Sequence, residues 1–227
     1  MRSVEKNNIV PSRFADTTKK KLIKVCGMKF PENIRAVARL RPDFMGFIFY
    51  PKSPRYAEPL NVSVLNELPP EIGKIGVFVN EKLDQILATV YKYHLDGVQL
   101  HGSEMVKMCN QLHDTGLLVI KAFPVAEAYN FKVMKRYEKS CDYFLFDAQT
   151  PIYGGAGQKF DWQLLENYKE KTPFLLSGGI SIEDLEDINK IQHPAFAGVD
   201  LNSRFEISPG LKNVELLSNF IDRYRSL

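Results

Sequence analysis

Asp142-Tyr143-Phe144-Leu145-Phe146-Asp147 runs into Ala148-Gln149-Thr150-Pro151-Ile152-Tyr153-Gly154-Gly155-Ala156-Gly157-Gln158-Lys159-Phe160-Asp161-Trp162. The opening residues form an apolar run short enough for one buried strand, and that run ends on a carboxylate. A glycine-rich loop follows, and Asp161 stands where a helix cap is expected before Trp162. Strand, loop and helix together make one βα unit, and the same unit recurs along the chain.

Working outward, apolar strands are expected at 22–26, 44–49, 74–79, 97–101 and 117–122 before this stretch, and at 173–177 and 195–200 after it. Helical spacing follows each in turn, at 31–40, 61–67, 81–93, 104–113 and 129–138, then from near Trp162, from Ser181 with Asp184 three residues on, and over 214–224. Pro31 suits the first turn of its helix, where a missing N–H costs little. Eight strands alternating with eight helical segments predict a single (β/α)₈ TIM barrel, an α/β fold, over residues 21–227, with a polar extension at 1–20.

The 44% hydrophobic content supplies a substantial interior and argues against disorder. Thirty basic against 27 acidic residues give a formal charge of +3, too mild for a nucleic-acid partner but favourable to a small anion. Cys26, Cys109 and Cys141 lack paired spacing, so neither a disulfide framework nor a zinc site is expected, and a reducing cytoplasm fits. No stretch reaches the roughly 18 apolar residues of a membrane span. The four histidines form no H-E-x-x-H, and no metal is called for.

In such a barrel, chemistry sits at the C-terminal ends of the strands. Cys26 ends the first strand and Asp147 the sixth, so a base and an acid would address opposite sides of one ligand. Tyr143, Leu145 and Asp147 share a strand face, which predicts an apolar column beneath the carboxyl and a raised pKa. Lys24 lies two residues before Cys26 on the same face, which predicts a buried carboxylate or carbonyl partner. Arg55, in a loop bounded by prolines, offers a fork for a carboxylate. Ser177-Gly178-Gly179 and Asp200-Leu201-Asn202-Ser203 stand where barrels commonly bind phosphate. Gln99 and His101 share one strand face, within reach of substrate or of each other, and Lys121 is a further rim lysine. Gly154 to Gly157, with Gly155 as a contact, read as a loop that closes over ligand rather than as a P-loop.

Taken together, Lys24-Val25-Cys26-Gly27, Gly46 through Tyr56, Gly76-Val77-Phe78-Val79-Asn80, Val98-Gln99-Leu100-His101-Gly102, Asp147 through Trp162 and Leu176-Ser177-Gly178-Gly179-Ile180 resemble the phosphoribosylanthranilate isomerases of tryptophan biosynthesis. The resemblance implies a cytoplasmic (β/α)₈ enzyme, monomer or homodimer, without a cofactor, that carries out an Amadori rearrangement of a phosphorylated anthranilate. It implies Cys26 as general base, Asp147 as general acid and Arg55 as holder of the anthranilate carboxylate. The chain departs from the family pattern after the eighth strand, where Arg204 stands in place of a glycine. Another barrel enzyme acting on a phosphorylated substrate, or a non-catalytic barrel binding an anionic metabolite, are the alternatives.

Overall fold

The computed structural model describes residues 21–127, 129–148 and 159–227. The proposed extension at 1–20 and the glycine loop containing Gly155 therefore lie outside the described residues. Strands β1 (Leu22–Val25), β2 (Phe44–Ile48), β3 (Gly73–Phe78), β4 (Gly97–Leu100), β5 (Leu118–Val125), β6 (Tyr143–Ala148), β7 (Phe174–Leu176) and β8 (Phe196–Leu201) pair in sequence order. Each pairing is parallel, and β8 returns to β1 to close the barrel. The expected (β/α)₈ fold is therefore the observed one.

Period-two alternation decides what fills it. Leu22, Phe44, Ile75, Ile120, Tyr143, Leu145, Leu175 and Ala197 pack in the interior. Their neighbours Ile23, Val25, Met45, Phe144, Phe146 and Phe174 face outward under the helices. A strand buried on both faces reads as a continuous apolar run, which is why these segments show little alternation in sequence.

The outer layer is less regular than its spacing predicts. Helices α1 (Pro31–Ala38), α2 (Val62–Asn66), α3 (Leu83–Tyr93), α4 (Val106–His113), α5 (Leu185–Asn189) and α6 (Val214–Ser226) are present. Pro31 opens α1 and a Ser181–Asp184 capping box precedes α5, as expected. The two helices expected after β5 and β6 are instead 3-10 segments, Phe131–Tyr137 and Trp162–Asn167. Asp161 still caps the second, its carboxylate accepting the Gln163 N–H at 2.9 Å.

Strand β5 runs past the expected end at 122, because exposed Pro124 sits near the strand tip and does not stop the ladder. An unexpected hairpin, β9 (Glu206–Ser208) with β10 (Leu211–Lys212), turns at Pro209-Gly210 with Gly210 at φ +86°. Among the described residues no helix is long and apolar enough to cross a membrane.

Closure depends on Gly198, opposite Leu22 in the β1–β8 ladder. A Cβ there would lie 2.0 Å from the Leu22 carbonyl oxygen, which is backbone and cannot swing aside. Gly198→Ala is expected to cost about 1–3 kcal/mol or more as an overpacking change in the seam. Urea unfolding should show this as a lower midpoint, and an unchanged midpoint would mean the seam is slack.

Candidate active site

Strand β1 builds the first half of the site. Leu22 and Lys24 point inward, and Cys26, continuing that alternation, meets Ile48 and Val77 at the floor of a cavity in the barrel mouth. Register places Lys24 opposite Asp200 of β8, and their side chains meet at 2.9 Å, Lys24 fully buried and Asp200 nearly so. This is the carboxylate partner that an inward lysine requires. Burial opposes Asp200 ionisation and raises its pKa, while Lys24 offsets it; Lys24 in turn is held charged against burial by Asp200.

Cys26 needs space that only glycine leaves. A Cβ on Gly46 would fall 2.8 Å from Cys26 Sγ and 3.2 Å from Lys24 Nζ, so both groups lie over one bare patch of β2. Burial pushes the Cys26 thiol up, and the positive charges of Lys24 and Lys212 pull the other way. Cys109 and Cys141 are buried in the outer core, away from this cavity.

The second half comes from β4 and β6. Gln99 Nε2 donates to His101 Nδ1 at 2.7 Å, which leaves the His101 Nε2 proton to face Asp147 Oδ2 at 3.2 Å. Asp147 Oδ1 accepts the Ala148 N–H at 3.0 Å. The expected column of Tyr143 and Leu145 is present below Asp147, but the carboxyl itself is 23% exposed and has donors on both oxygens. It stands at the polar rim of the column rather than inside it. Buried Gln99 Oε1 has no hydrogen-bond partner among the described residues.

Ser177, Gly178 and Gly179 after β7 line the same cavity as Cys26, Gln99, His101 and Asp147. Gly178 and Gly179 have φ of +91° and +67°, and a side chain on Gly178 would strike the Ala148 N–H and Asp147 Oδ1. Asp200, Asn202 and Ser203 complete the wall from β8. Arg204 points to solvent and does not line the cavity.

Arg55 gives its fork to a carboxylate, but to one of this chain: it is buried behind the cavity wall and grips Glu206 through Nε at 2.9 Å and Nη2 at 2.6 Å. Lys212 Nζ reaches the same carboxylate at 2.7 Å and also donates to Asn202 Oδ1. Burial alone would raise Glu206; the Arg55 fork and Lys212 outweigh it and hold the carboxyl below its usual range. Burial pushes Lys212 down despite Glu206. Asn33 of α1 fixes the Lys212 backbone from both sides.

Glu206 and Lys212 were not foreseen. The only sequence signal was Pro209-Gly210, a turn that folds them onto each other. Tyr50, Ser53, Val79 and Ile180 also line the cavity unforeseen. Lys121 is occupied instead, paired with Glu104 at 3.2 Å and donating to the Leu100, Gly102 and Ala122 carbonyls, so it ties the β4 and β5 ends together.

A buried cation–thiol pair on one side, a histidine-held carboxyl on the other and glycine-rich backbone between them suit acid–base work on an anionic ligand. Among the described residues no group of three or more His, Cys, Asp or Glu could hold a metal ion.

Residues 23–223 match the family model described as PRAI, N-(5'phosphoribosyl)anthranilate (PRA) isomerase. The N-(5'-phosphoribosyl)anthranilate isomerase of Parabacteroides distasonis is 47% identical over 204 residues, covering 89% of this chain and 92% of that protein. That of Phocaeicola vulgatus is 45% identical over 205 residues, covering 90% and 98%. The crystal structure of the Thermotoga maritima phosphoribosyl anthranilate isomerase superposes with a TM-score of 0.77 at 34% identity, covering 91% of this chain and all of that one.

Replacing Glu206 by Gln would leave Arg55 and Lys212 buried without their anion, a change expected to cost about 3–5 kcal/mol at neutral pH. Because the folded carboxyl is held low, wild type should keep this advantage above the ordinary carboxylate range, near about pH 4.3, and lose it as pH falls through the depressed value. Urea midpoints of both proteins at pH 7 and pH 3 check the sign, since a gap that widens in acid would contradict it.

Proposed function

The chain belongs to the N-(5'phosphoribosyl)anthranilate isomerase family, and within the family's reaction we propose that Cys26 is the general base and Asp147 the general acid. The protein is an isomerase of tryptophan biosynthesis that converts N-(5-phosphoribosyl)anthranilate to 1-(2-carboxyphenylamino)-1-deoxyribulose 5-phosphate. The single observation carrying the residue roles is that Cys26 and Asp147 line one cavity together with Gly178, Gly179 and Ser203.

In the proposed course, protonated Asp147 gives its proton to the furanose ring oxygen. The C1–oxygen bond breaks, the anilino nitrogen lone pair forms the new C=N bond, and a Schiff base results. The Cys26 thiolate then takes the C2 proton, the C2–H electrons form a C1=C2 bond as the C=N electrons return to nitrogen, and the resulting enolamine gains a proton at C1 and gives up its 2-hydroxyl proton as the ketose forms. Acid and base act at different atoms from different strands, so neither has to move far between steps.

The backbone at Gly178, Gly179 and Ser203, with the Ser177 hydroxyl beside it, receives the phosphate, and Asn202 holds that wall through Lys212. Gln99 Oε1 accepts a substrate hydroxyl or the anilino N–H, which supplies the partner it otherwise lacks. Arg55 takes the anthranilate carboxylate by sharing the fork it now gives to Glu206. Arg55, Lys212 and Glu206 together carry one cation in excess, so an incoming anion is matched. Three free buried cysteines suit a reducing, cytoplasmic setting.

Cys26→Ala and Asp147→Asn should each lower kcat by about 10²–10⁴-fold, the usual worth of a positioned acid or base. Since burial raises the Cys26 thiol, kcat/KM should climb with pH as the thiolate forms. Consumption of phosphoribosylanthranilate followed by fluorescence tests both, and either variant turning over at the wild-type rate removes that residue from its role.

A further inference from the structure

We propose that Gln99 ties the sugar to the acid: its Nε2–H holds His101 as a hydrogen-bond donor to Asp147, and its Oε1 accepts the 2-hydroxyl of the bound ribose. This rests on the base and acid roles given above. It adds to them a residue that transfers no proton itself.

The donor end follows from the geometry at His101. Its Nε2 lies 3.2 Å from Asp147 Oδ2, and its Nδ1 lies 2.7 Å from Gln99 Nε2. An amide nitrogen only donates, so Nδ1 accepts and the neutral ring carries its proton on Nε2. His101 then turns no lone pair toward Asp147. With the Ala148 N–H on Oδ1 and the His101 N–H on Oδ2, neither neighbour can take the acid proton of Asp147, which is left for the ligand in the cavity.

The acceptor end follows from burial and strand register. Gln99 is buried, and its Oε1 has no partner among the described residues, a costly state for an amide oxygen shielded from water. Val77 stands opposite Gln99 in the β3–β4 ladder and packs against Cys26, so amide and thiol meet the same cavity. They reach it from β4 and β1, three strands apart around the ring. A carbon seated between them turns its hydrogen toward Cys26 and its oxygen toward Gln99, and C2 is the carbon whose hydrogen the reaction removes. The anilino N–H is a poorer match, since the ortho carboxylate of its own ring already accepts from it. As C2 becomes a carbonyl carbon its hydroxyl grows more acidic, so the bond to Oε1 strengthens along the reaction.

Two measurements test the chain. Nitrogen NMR of labelled wild-type protein at about pH 8, where an ordinary imidazole is neutral, should show His101 protonated at Nε2 alone. Gln99→Met should show both tautomers. Calorimetric titration compares two forms of the product, one reduced to the C2 alcohol and one lacking oxygen at C2. Wild type should bind the alcohol about 10–100-fold more tightly, because the other analogue leaves Oε1 without a partner. In Gln99→Met the preference should vanish while the analogue lacking the oxygen still binds as in wild type, a split that a merely structural role would not give.

Equal wild-type affinity for the two analogues overturns the proposal, as does His101 protonated at Nδ1. Both are read on wild type and so decide it even where Gln99→Met does not fold. Equal weakening of both analogues in a folded Gln99→Met overturns it as well. If Cys26→Ala or Asp147→Asn turns over at the wild-type rate while the wild-type preference and tautomer hold, the acid–base reading fails and the place of Gln99 stands.

Discussion

The ladder between β1 and β8 is the constraint on which the rest depends. It closes the barrel, and its register sets Lys24 against Asp200 in the layer just below the cavity. Slipping β1 by one residue against β8 would send Lys24 into the outer apolar layer and leave Asp200 buried without its cation. The same slip would turn Cys26 away from the mouth. Gly198 allows the two strands to approach this closely, and the ion pair at 2.9 Å selects one alignment among those that packing alone would permit.

Above this layer the site is made by removing side chains as much as by placing them. Gly46 clears the space for Cys26 Sγ, and Gly27, at φ +77°, lets the Arg55 stem and Asn202 Oδ1 come close to the chain just after Cys26. Gly178 does the same beside Asp147. Three polar clusters then occupy the gaps: Lys24–Asp200 below, Gln99–His101–Asp147 on one side and Arg55–Glu206–Lys212 behind the other. Lys24 and Asp200 offset each other, whereas Arg55 and Lys212 exceed Glu206 by one cation, which suits an anionic substrate. Rigid charges of this kind need little rearrangement during reaction, because the strands carrying them are anchored on both faces.

Much of this was legible in sequence, and the failures have physical causes. The strands were found because each is a short apolar run closed by glycine or a polar residue. Cys26, Asp147 and Ser177-Gly178-Gly179 were singled out because they stand at strand ends, and the structure brings them to one cavity. The partner of Lys24 was expected as a type but not as Asp200, since register between the first and last strands depends on closure and leaves no local mark. The helices after β5 and β6 were misread because apolar spacing over seven residues or fewer does not separate α from 3-10 geometry. Arg55 was read as a fork for a carboxylate, and its partner Glu206 escaped notice because it lies 151 positions away. The reading of Asp147 took account of the apolar column on its own strand and not of His101 from β4.

Cys26 and Asp147 are proposed to face different atoms of one bound sugar. A crystal structure with a reduced, non-isomerisable product analogue tests it most directly. The account predicts the phosphate against the backbone of Gly178, Gly179 and Ser203, Cys26 Sγ within about 3.5 Å of C2, and the Asp147 carboxyl within hydrogen-bond reach of the oxygen that leaves the ring. An analogue whose C2 lies against another side chain, with Cys26 turned from it, would contradict the account.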